Sequence, residues 1–392
     1  MLLSKRIQVL SPSLTLAITA LARDLKAQGR DVLSFSAGEP DFDTPKVVKD
    51  AAIAAINSGF SKYTAVAGTP EVLKAIAGKL KRENNLEYKP SDIVVNVGAK
   101  HSLFNIFQAI IDDGDEVIIP SPYWVTYPEI VKYCGGEPVY IDTDETSGFK
   151  ITAAQLKAAI TPKTKVLLIN TPSNPTGSIY SKAELEALAE VLKGTNVLVV
   201  SDEMYEKIIF DGKKFISVAS ISEDMYKRTI TVNGLSKSVS MTGWRFGYFA
   251  CPIKEITEAI IDLQGQSTSN INSITQKAAL PALDGKADAD IEVMRVAFEK
   301  RRNMAYELLS NIEGLSVVKP EGAFYLYVNT KAVEEDSMKF CQKLLEEKGV
   351  AVVPGVGFGS EGYFRLSFAT DDATIKDGIS RIASFIKDYT NK

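Results

Sequence analysis

Hydrophobic positions between about residues 90 and 250 follow two alternating patterns. Short, continuous apolar runs rich in β-branched residues recur as "DIVVNV", "DEVIIP", "KVLLIN", "NVLVVSDEMY", "RTITVNG" and "FGYFACP". Between the first two runs, "KHSLFNIFQAII" has apolar residues at the spacing of one helical face. Continuous apolar strands separated by helices predict a mainly parallel sheet that is covered on both faces. Ligands of such sheets bind outside the carboxyl ends of the strands.

After residue 250 the pattern changes to longer helical stretches, near 253–264, 271–283 and 288–311. Three short strands follow, "GAFYLYV", "GVAVVP" and "YFRLSFA", with a helix near 335–348 after the first and a last helix to about 388. A chain of 392 residues is long enough for two lobes. We therefore predict an α/β protein with a large domain at 45–300 and a smaller α/β domain formed by 1–44 and 301–392.

Composition places the chain among globular proteins and argues against several partners. It is 45% hydrophobic and 24% charged, with a net charge of -4, so it lacks the basic excess that favours nucleic acid. No run approaches the ~20 apolar residues of a membrane span, and the opening "MLLSKRIQVLSPSL" lacks the apolar core of a signal peptide. We expect neither nucleic acid nor membrane as a partner, and a cytoplasmic location.

Few residues are available for metal or thiol chemistry. The three cysteines, Cys134, Cys251 and Cys341, are odd in number and widely separated, which is typical of reduced core thiols. His101 is the only histidine, so a multi-histidine metal site is excluded and no metal is expected. "GFGSEG" at 357–362 matches G-x-G-x-x-G, but a strand follows it instead of a helix, which indicates a glycine-rich turn. Lysine, tyrosine and carboxylates remain as candidate reactive groups.

Three polar motifs follow predicted strands and belong at one edge of the sheet. Asp202 ends the apolar "NVLVVSD", where an unpaired carboxylate would be costly, although a helix cap or a salt bridge would also explain it. "RTITVNG" leads directly to Lys237 in "GLSKSVSMTGWRFGY", a stretch that by itself could equally be a solvated loop. "NTPSNPTG" follows "KVLLI" in the same way. A parallel sheet would bring the acid, the lysine and the Asn-Pro loop together.

With these motifs in this order, the chain resembles the class I aminotransferases, pyridoxal-phosphate enzymes of the aspartate aminotransferase fold. "SNPTG", "SDEMYE" and "SKSVSMTGWRFGY" follow that family's pattern, and "AGEPDF", "YTAVAGTPEVLKAI", "PYWVTYP" and "FRLSFA" extend the resemblance over nearly the whole chain. Phe246 departs from the pattern, which usually has a smaller aliphatic residue there. The resemblance implies the type I pyridoxal-phosphate aminotransferase fold and ping-pong transfer of an amino group from an amino acid to a 2-oxo acid.

The resemblance also implies a role for each residue toward pyridoxal 5'-phosphate. Lys237 binds the cofactor covalently and carries the proton, and a cation such as Arg245 lowers its pKa. Asp202 keeps the pyridine nitrogen protonated, while Tyr205 and Asn174 bind the phenolic oxygen. The implied cofactor-binding residues are Ala99, Lys100, Trp124, Asn174, Asp202, Tyr205, Ser236, Lys237 and Arg245, together with Tyr63 of the partner subunit in a homodimer with shared active sites.

Arg365 lies within the apolar strand "YFRLSFA", where a guanidinium needs an anion. The family assigns it the substrate α-carboxylate. Similarity to bacterial aspartate aminotransferases implies L-aspartate and 2-oxoglutarate as substrates. The implied substrate-binding residues are Gly38, Trp124, Asn174 and Arg365, with Lys100, Ser13 and Thr15 at the distal carboxylate. Helix capping is the alternative role for Ser13 and Thr15.

One further expectation and two alternative functions accompany this interpretation. Ser11 stands where prephenate-using members carry a basic residue, so we expect weak prephenate activity. A β-eliminating or decarboxylating enzyme would share the fold and the cofactor, because the motifs indicate the cofactor more strongly than the reaction. A ligand-sensing regulator is the remaining alternative. It would need an attached DNA-binding domain, for which the segment before the first strand is too short.

Overall fold

The computed structural model describes residues 2–12 and 14–390, with only the backbone of Thr15 and Leu16. Apolar β-branched runs form most of its strands. The strands are β1 Leu33–Ser34, β2 Ile93–Val97, β3 Glu116–Ser121, β4 Glu137–Asp142, β5 Thr164–Asn170, β6 Leu198–Asp202, β7 Thr229–Gly234, β8 Phe246–Ala250, β9 Ser316–Val317, β10 Tyr325–Asn329, β11 Val350–Ala351, β12 Val353–Pro354 and β13 Tyr363–Ser367.

Helices separate most of these strands. They are α1 Lys5–Gln8, α2 Leu14–Ala27, α3 Lys46–Asn57, α4 Pro70–Asn84, α5 Ala99–Ile110, α6 Thr126–Tyr133, α7 Ala153–Ala159, α8 Lys182–Leu192, α9 Glu223–Arg228, α10 Lys254–Ser267, α11 Ser273–Leu283, α12 Asp288–Ser310, α13 Ser337–Lys348 and α14 Asp372–Thr390. Short 3₁₀ turns occur at Pro90–Asp92, Glu145–Ser147, Val218–Ser220 and Gly355–Phe358. The helices predicted after residue 250 are confirmed to within a few residues.

The larger sheet has seven strands among the described residues, in the order β2-β8-β7-β6-β5-β3-β4. Strands β4, β3, β5, β6 and β7 run parallel to one another, and β8 is antiparallel to both β2 and β7. The prediction of a mainly parallel sheet is therefore confirmed. The edge strand β4 was not predicted from the sequence, because most of its residues are exposed or half-buried and give no continuous apolar run.

Both faces of this sheet are covered, as the apolar strands require. Alternate side chains of β2 join different cores, since successive residues of a strand point to opposite faces. Val94 packs in one core with Phe107 of α5, whereas Val95 packs in another with Ile76 of α4. Helix α4 begins where the side chain of Thr69 accepts a hydrogen bond from the backbone nitrogen of Val72.

The C-terminal part of the chain forms a second, antiparallel sheet in the order β12-β13-β10-β9. Strand β1 pairs in parallel with β11, which joins the N-terminal segment to this part of the molecule. Helix α12 continues past residue 300. The boundaries at 45–300 for a large domain, and at 1–44 with 301–392 for a small one, stay a prediction.

The remaining structural expectations concern turns, thiols and membrane spans. The "GFGSEG" stretch is followed by strand β13, as predicted for a turn that does not hold a dinucleotide. Cys134, Cys251 and Cys341 are free, and the last two are buried. Within the part of the chain that the structure describes, no helix combines the length and apolar character that crossing a bilayer demands.

Candidate active site

Three parallel strands bring their carboxyl ends to one edge of the large sheet. Asp202, the last residue of β6, is in register with Asn170 at the end of β5 and with Val232 near the end of β7. After β7 the chain turns tightly and presents Lys237 beside the same edge. The predicted common edge for the acid, the lysine and the Asn-Pro loop is confirmed.

This edge opens into a cleft of about 280 Å³. Most residues singled out from the sequence line it, namely Gly38, Ala99, Lys100, Trp124, Asn174, Asp202, Tyr205, Ser236, Lys237, Arg245 and Arg365. Tyr63 is elsewhere on the surface, with 90% of its area exposed. Ser13 and the side chain of Thr15 lie outside the described residues. The cleft also contains Tyr127, Asn170, Met204, Thr242 and Tyr325, which the sequence did not single out.

Asp202 is buried at the base of the cleft and is held by two donors. The hydroxyl of Tyr127 donates to Oδ2 at 2.8 Å, and the backbone nitrogen of Met204 donates to Oδ1 at 3.2 Å. Burial raises the pKa of Asp202 to about 6, against the opposing effect of the Tyr127 hydrogen bond. The carboxylate therefore stays largely ionised at neutral pH although almost no solvent reaches it.

Tyr127, in "PYWVTYP", is a site residue that the sequence pattern does not identify. It lies on α6, three positions after Trp124, and the two rings meet edge to face at 5.4 Å. Trp124 precedes α6, and the backbone nitrogen of Tyr127 donates to its carbonyl at 3.0 Å, so a turn brings the two residues together. A second aromatic residue three positions after Trp124 is the signal that could find it.

The amine of Lys237 donates a hydrogen bond to the carbonyl oxygen of Gly38. Burial lowers the pKa of Lys237 to about 8, and Glu39 opposes this shift while Arg365 and Arg245 add to it. The sequence predicts that a nearby cation such as Arg245 lowers the pKa of Lys237, but desolvation by burial lowers it more. A lysine with this pKa supplies a neutral, nucleophilic amine near physiological pH.

The N-terminus of α5 has features that suit an anion. Gly98 precedes the helix with φ of 81°, a left-handed conformation that favours glycine. A Cβ on Gly98 would lie 2.4 Å from Nη2 of Arg245, and one on Gly247 would lie 2.1 Å from the nitrogen of Ala99. The two glycines thus let the guanidinium and strand β8 approach the helix N-terminus, whose amides and dipole attract negative charge. Arg245 Nη1 also donates to the carbonyl of Thr242 at 2.8 Å.

Lys100 follows Ala99 in the first turn of α5 and extends its side chain into the same cleft. Its ammonium nitrogen lies 4.8 Å from the centre of the Trp124 ring. Burial lowers the pKa of Lys100, and the charge of Arg245 adds to the effect. A second cation therefore faces the cleft.

Arg365 is 2% exposed and has only neutral hydrogen-bond acceptors within the described part of the chain. Nη1 donates to Oδ1 of Asn174 and Nη2 to the carbonyl of Ser36, each at 2.9 Å, while Nε has no partner among the residues that the structure describes. Its guanidinium lies 4.3 Å from the centre of the Tyr325 ring. A buried cation without a carboxylate partner is costly, so this arrangement favours binding of an anion.

Two phenols complete the wall beside Arg365. The hydroxyls of Tyr205 and Tyr325 are 2.9 Å apart, and both residues are buried. Burial raises the pKa of Tyr205, so its hydroxyl keeps its proton at neutral pH and can donate a hydrogen bond. Tyr325 comes from β10 of the second sheet, and its hydroxyl lies close to Gly38.

Known proteins resemble this chain over nearly its whole length, in sequence and in structure. Residues 30–382 match the family model for aminotransferase class I and II. The aspartate aminotransferase of Bacillus subtilis (strain 168) is 50% identical, with 100% of both chains covered. The aspartate/prephenate aminotransferase of Nitrosomonas europaea is 48% identical, covering 98% of this chain and 100% of its own. The crystal structure of aspartate aminotransferase from Rhizobium meliloti superposes with a TM-score of 0.95 at 44% identity, covering 99% of each chain.

Proposed function

The chain belongs to the class I and II aminotransferases, and on that premise we propose that it transfers the amino group of L-aspartate to 2-oxoglutarate. The products are oxaloacetate and L-glutamate, formed by a ping-pong mechanism. Enzymes of this family use pyridoxal 5'-phosphate, and their substrates are amino acids and 2-oxo acids.

The residues present fit this cofactor. Gly98 lets the guanidinium of Arg245 pack against the N-terminus of α5, and this cation together with the helix amides suits a phosphate. The buried carboxylate of Asp202 suits a protonated ring nitrogen, and the amine of Lys237 suits an aldehyde. When bound, the cofactor supplies an electron sink that stabilises negative charge on the α-carbon of the substrate.

Each side chain then has a separate task. Lys237 Nζ would hold the cofactor covalently and, when free, would move a proton at the α-carbon of the substrate. Asp202 would keep the ring nitrogen protonated by its negative charge. Tyr205 donates a hydrogen bond into the cleft, and so does Nδ2 of Asn174, because Oδ1 of that amide accepts from Arg365. Trp124 and Ser236 line the cofactor's space.

The observation that carries the proposal is the buried guanidinium of Arg365 with neutral partners only, among the described residues. The α-carboxylate of an amino acid supplies the missing charge through a bidentate pair. Gly38 lies on the same wall and admits the substrate closely because it has no side chain. This site explains an amino acid as substrate.

Selection of aspartate needs a second cation for the distal carboxylate, and Lys100 in the same cleft supplies it in this proposal. Ser13 and Thr15 are proposed to contribute their hydroxyls. Ser11 carries no positive charge, and its backbone nitrogen donates to Glu129 Oε2 at 2.6 Å. We therefore keep the expectation that prephenate is a weak substrate.

A donor panel tests the proposal. The purified, cofactor-loaded protein is assayed with L-aspartate, L-alanine, L-phenylalanine and L-tyrosine against 2-oxoglutarate, and with L-glutamate against oxaloacetate and prephenate. We expect the highest kcat/KM for the aspartate and 2-oxoglutarate pair. A higher kcat/KM for an uncharged or aromatic donor would contradict the assignment of aspartate.

We also propose a cytoplasmic homodimer with shared active sites. Tyr63 is 90% exposed on the single chain, so its ring is free to contact a second subunit. In the proposed dimer it reaches the cofactor phosphate bound near Arg245 of the other subunit. The free state of Cys134, Cys251 and Cys341 supports a reducing compartment.

A further inference from the structure

The segment that begins at Gly38 is joined to the loop carrying Lys237 by two side-chain contacts near the cleft. The amine of Lys237 donates to the carbonyl of Gly38. The hydroxyl of Thr242 donates to Glu39 Oε2 at 2.9 Å. Thr242 itself lines the cleft, and its carbonyl accepts from Arg245 Nη1. Glu39 thus contacts the loop that contains both cofactor-binding cations.

These two contacts differ in what happens when the cofactor binds. With Lys237 Nζ holding the cofactor covalently, the free ammonium that donates to Gly38 would no longer be available. The hydrogen bond between Thr242 and Glu39 involves no reacting atom, so it would persist. Further along the segment, Thr44 Oγ1 donates to the carbonyl of Ser240 at 2.7 Å and accepts from Trp244 Nε1 at 3.0 Å. Those bonds lie beyond Pro40 and fix the other end of the segment.

The position of Gly38 matters for the α-carboxylate site. A Cβ on Gly38 would lie 3.2 Å from the Tyr325 hydroxyl, so the backbone runs close against that wall. Two residues earlier, the carbonyl of Ser36 accepts from Arg365 Nη2. The peptide between Ser36 and Glu39 therefore forms one side of the space in which Arg365 faces the substrate.

We propose that Glu39 is a positioning residue that, through Thr242, holds the Gly38 peptide against the substrate's α-carboxylate once Lys237 has bound the cofactor. The proposal rests on the proposed function, because it takes Arg365 and Gly38 as the carboxylate site. It assigns the effect to the hydrogen bond and not to the charge of Glu39, although that charge also raises the pKa of Lys237. The two contributions are separable because glutamine keeps the acceptor oxygen and removes the charge.

Four variants test the proposal in the cofactor-loaded protein. Glu39→Ala and Thr242→Val remove the hydrogen bond, whereas Glu39→Gln retains it. Asp43→Asn is the matched control, because Asp43 is an exposed acid of the same segment whose ion pair with Lys49 spans 3.7 Å. Steady-state kinetics with several amino donors give KM and kcat separately, and a spectral titration with succinate gives the Kd of an unreactive dicarboxylate.

Glu39→Ala and Thr242→Val are expected to raise KM and the succinate Kd by about 3- to 10-fold, the range for one lost hydrogen bond. All amino donors should be affected alike, because they share the α-carboxylate, and kcat should change less than KM. Glu39→Gln and Asp43→Asn should stay within about twofold of the parent protein. The double variant Glu39→Ala/Thr242→Val should have a KM and a succinate Kd no higher than those of either single variant. The proposal would be overturned if Thr242→Val kept the wild-type KM and succinate Kd, or if the losses in the double variant were additive. It would also be overturned if Glu39→Gln bound substrate as weakly as Glu39→Ala.

Hydrogen exchange of the backbone amides at 36–39, 41 and 42 provides a readout that does not depend on the reaction, Pro40 having no amide hydrogen. Thr242→Val should accelerate exchange more in the loaded protein than in the cofactor-free protein, where Lys237 still holds Gly38. Equal acceleration in the two forms, or none, would contradict the proposal. If the protein fails to transaminate aspartate, this measurement and the succinate titration still decide the role of Glu39.

Discussion

The hydroxyl of Tyr127 donates a 2.8 Å hydrogen bond to Oδ2 of Asp202 inside the protein. Burial alone disfavours the ionised carboxylate, and this bond with the one from Met204 offsets part of that effect. The result is a carboxyl group with a pKa of about 6, which is negatively charged at neutral pH although it is almost fully buried. A buried charge of this kind is suited to hold the protonated nitrogen of the cofactor ring.

Removal of that donor gives a first prediction. Tyr127→Phe should raise the pKa of Asp202 above about 6, since the ionised form loses a hydrogen bond. Cofactor affinity, measured by equilibrium titration, should then begin to fall at a higher pH as the medium is made acidic. Tyr133→Phe, on the same helix, should leave the pH midpoint of this loss of affinity unchanged. An unshifted midpoint in Tyr127→Phe would contradict the role of this bond.

The lowered pKa of Lys237 gives a second prediction. Because the neutral amine reacts with an aldehyde, the rate at which the cofactor-free protein incorporates the cofactor should rise with pH and level off above about 8. Borohydride reduction followed by peptide mapping should find the cofactor on Lys237. Lys237→Ala should keep its fold but lose about 10²- to 10⁴-fold in kcat through the missing proton transfer. A rate that keeps rising to the ordinary lysine pKa, or a different modified lysine, would contradict the assignment.

A third prediction concerns the selection of aspartate. Lys100→Ala should lower kcat/KM for aspartate by about 10- to 100-fold, the loss expected for a hydrogen bond between charged groups. Alanine and aromatic donors lack the distal carboxylate, so kcat/KM for these donors should change much less. Lys132→Ala is a suitable control, because Lys132 lies near Glu129, 3.7 Å away, outside the cleft. Equal losses for all donors would argue against contact between Lys100 and the substrate.

The sequence predicts the strand that carries Asp202 and the edge that Lys237 shares with it, because a fully buried parallel strand reads as a continuous apolar run. Strand β4 escaped prediction because one of its faces is exposed. Tyr325 also escaped, since its contact with Tyr205 joins residues 120 apart in the chain, and no local pattern reports such a pairing. Burial is the chief cause of the lowered pKa of Lys237, and burial depends on how the chain packs and not on the residues next to Lys237 in the sequence.

A fourth prediction tests shared active sites. In a heterodimer of Lys237→Ala with Tyr63→Ala, one site would carry both defects and the other neither. Mixing the two variants under conditions that exchange subunits should therefore restore activity above the average of the parents. Mass spectrometry verifies the exchange, and the mixture without exchange serves as control. Activity that stays at the average after verified exchange would show that Tyr63 does not act across subunits.

The central claim is that the amino group of aspartate is retained by the enzyme and passed on to a 2-oxo acid. The most direct measurement is the isolated half-reaction, in which the cofactor-loaded protein is mixed with L-aspartate without an acceptor and the products are quantified. We predict oxaloacetate in an amount equal to the Lys237 sites, no ammonia and no carbon dioxide beyond the spontaneous decay of oxaloacetate. Added 2-oxoglutarate should then yield an equal amount of L-glutamate, and Lys237→Ala should yield neither product at a comparable rate. Release of ammonia, or conversion of aspartate into alanine and carbon dioxide, would identify an eliminating or decarboxylating enzyme and contradict the account.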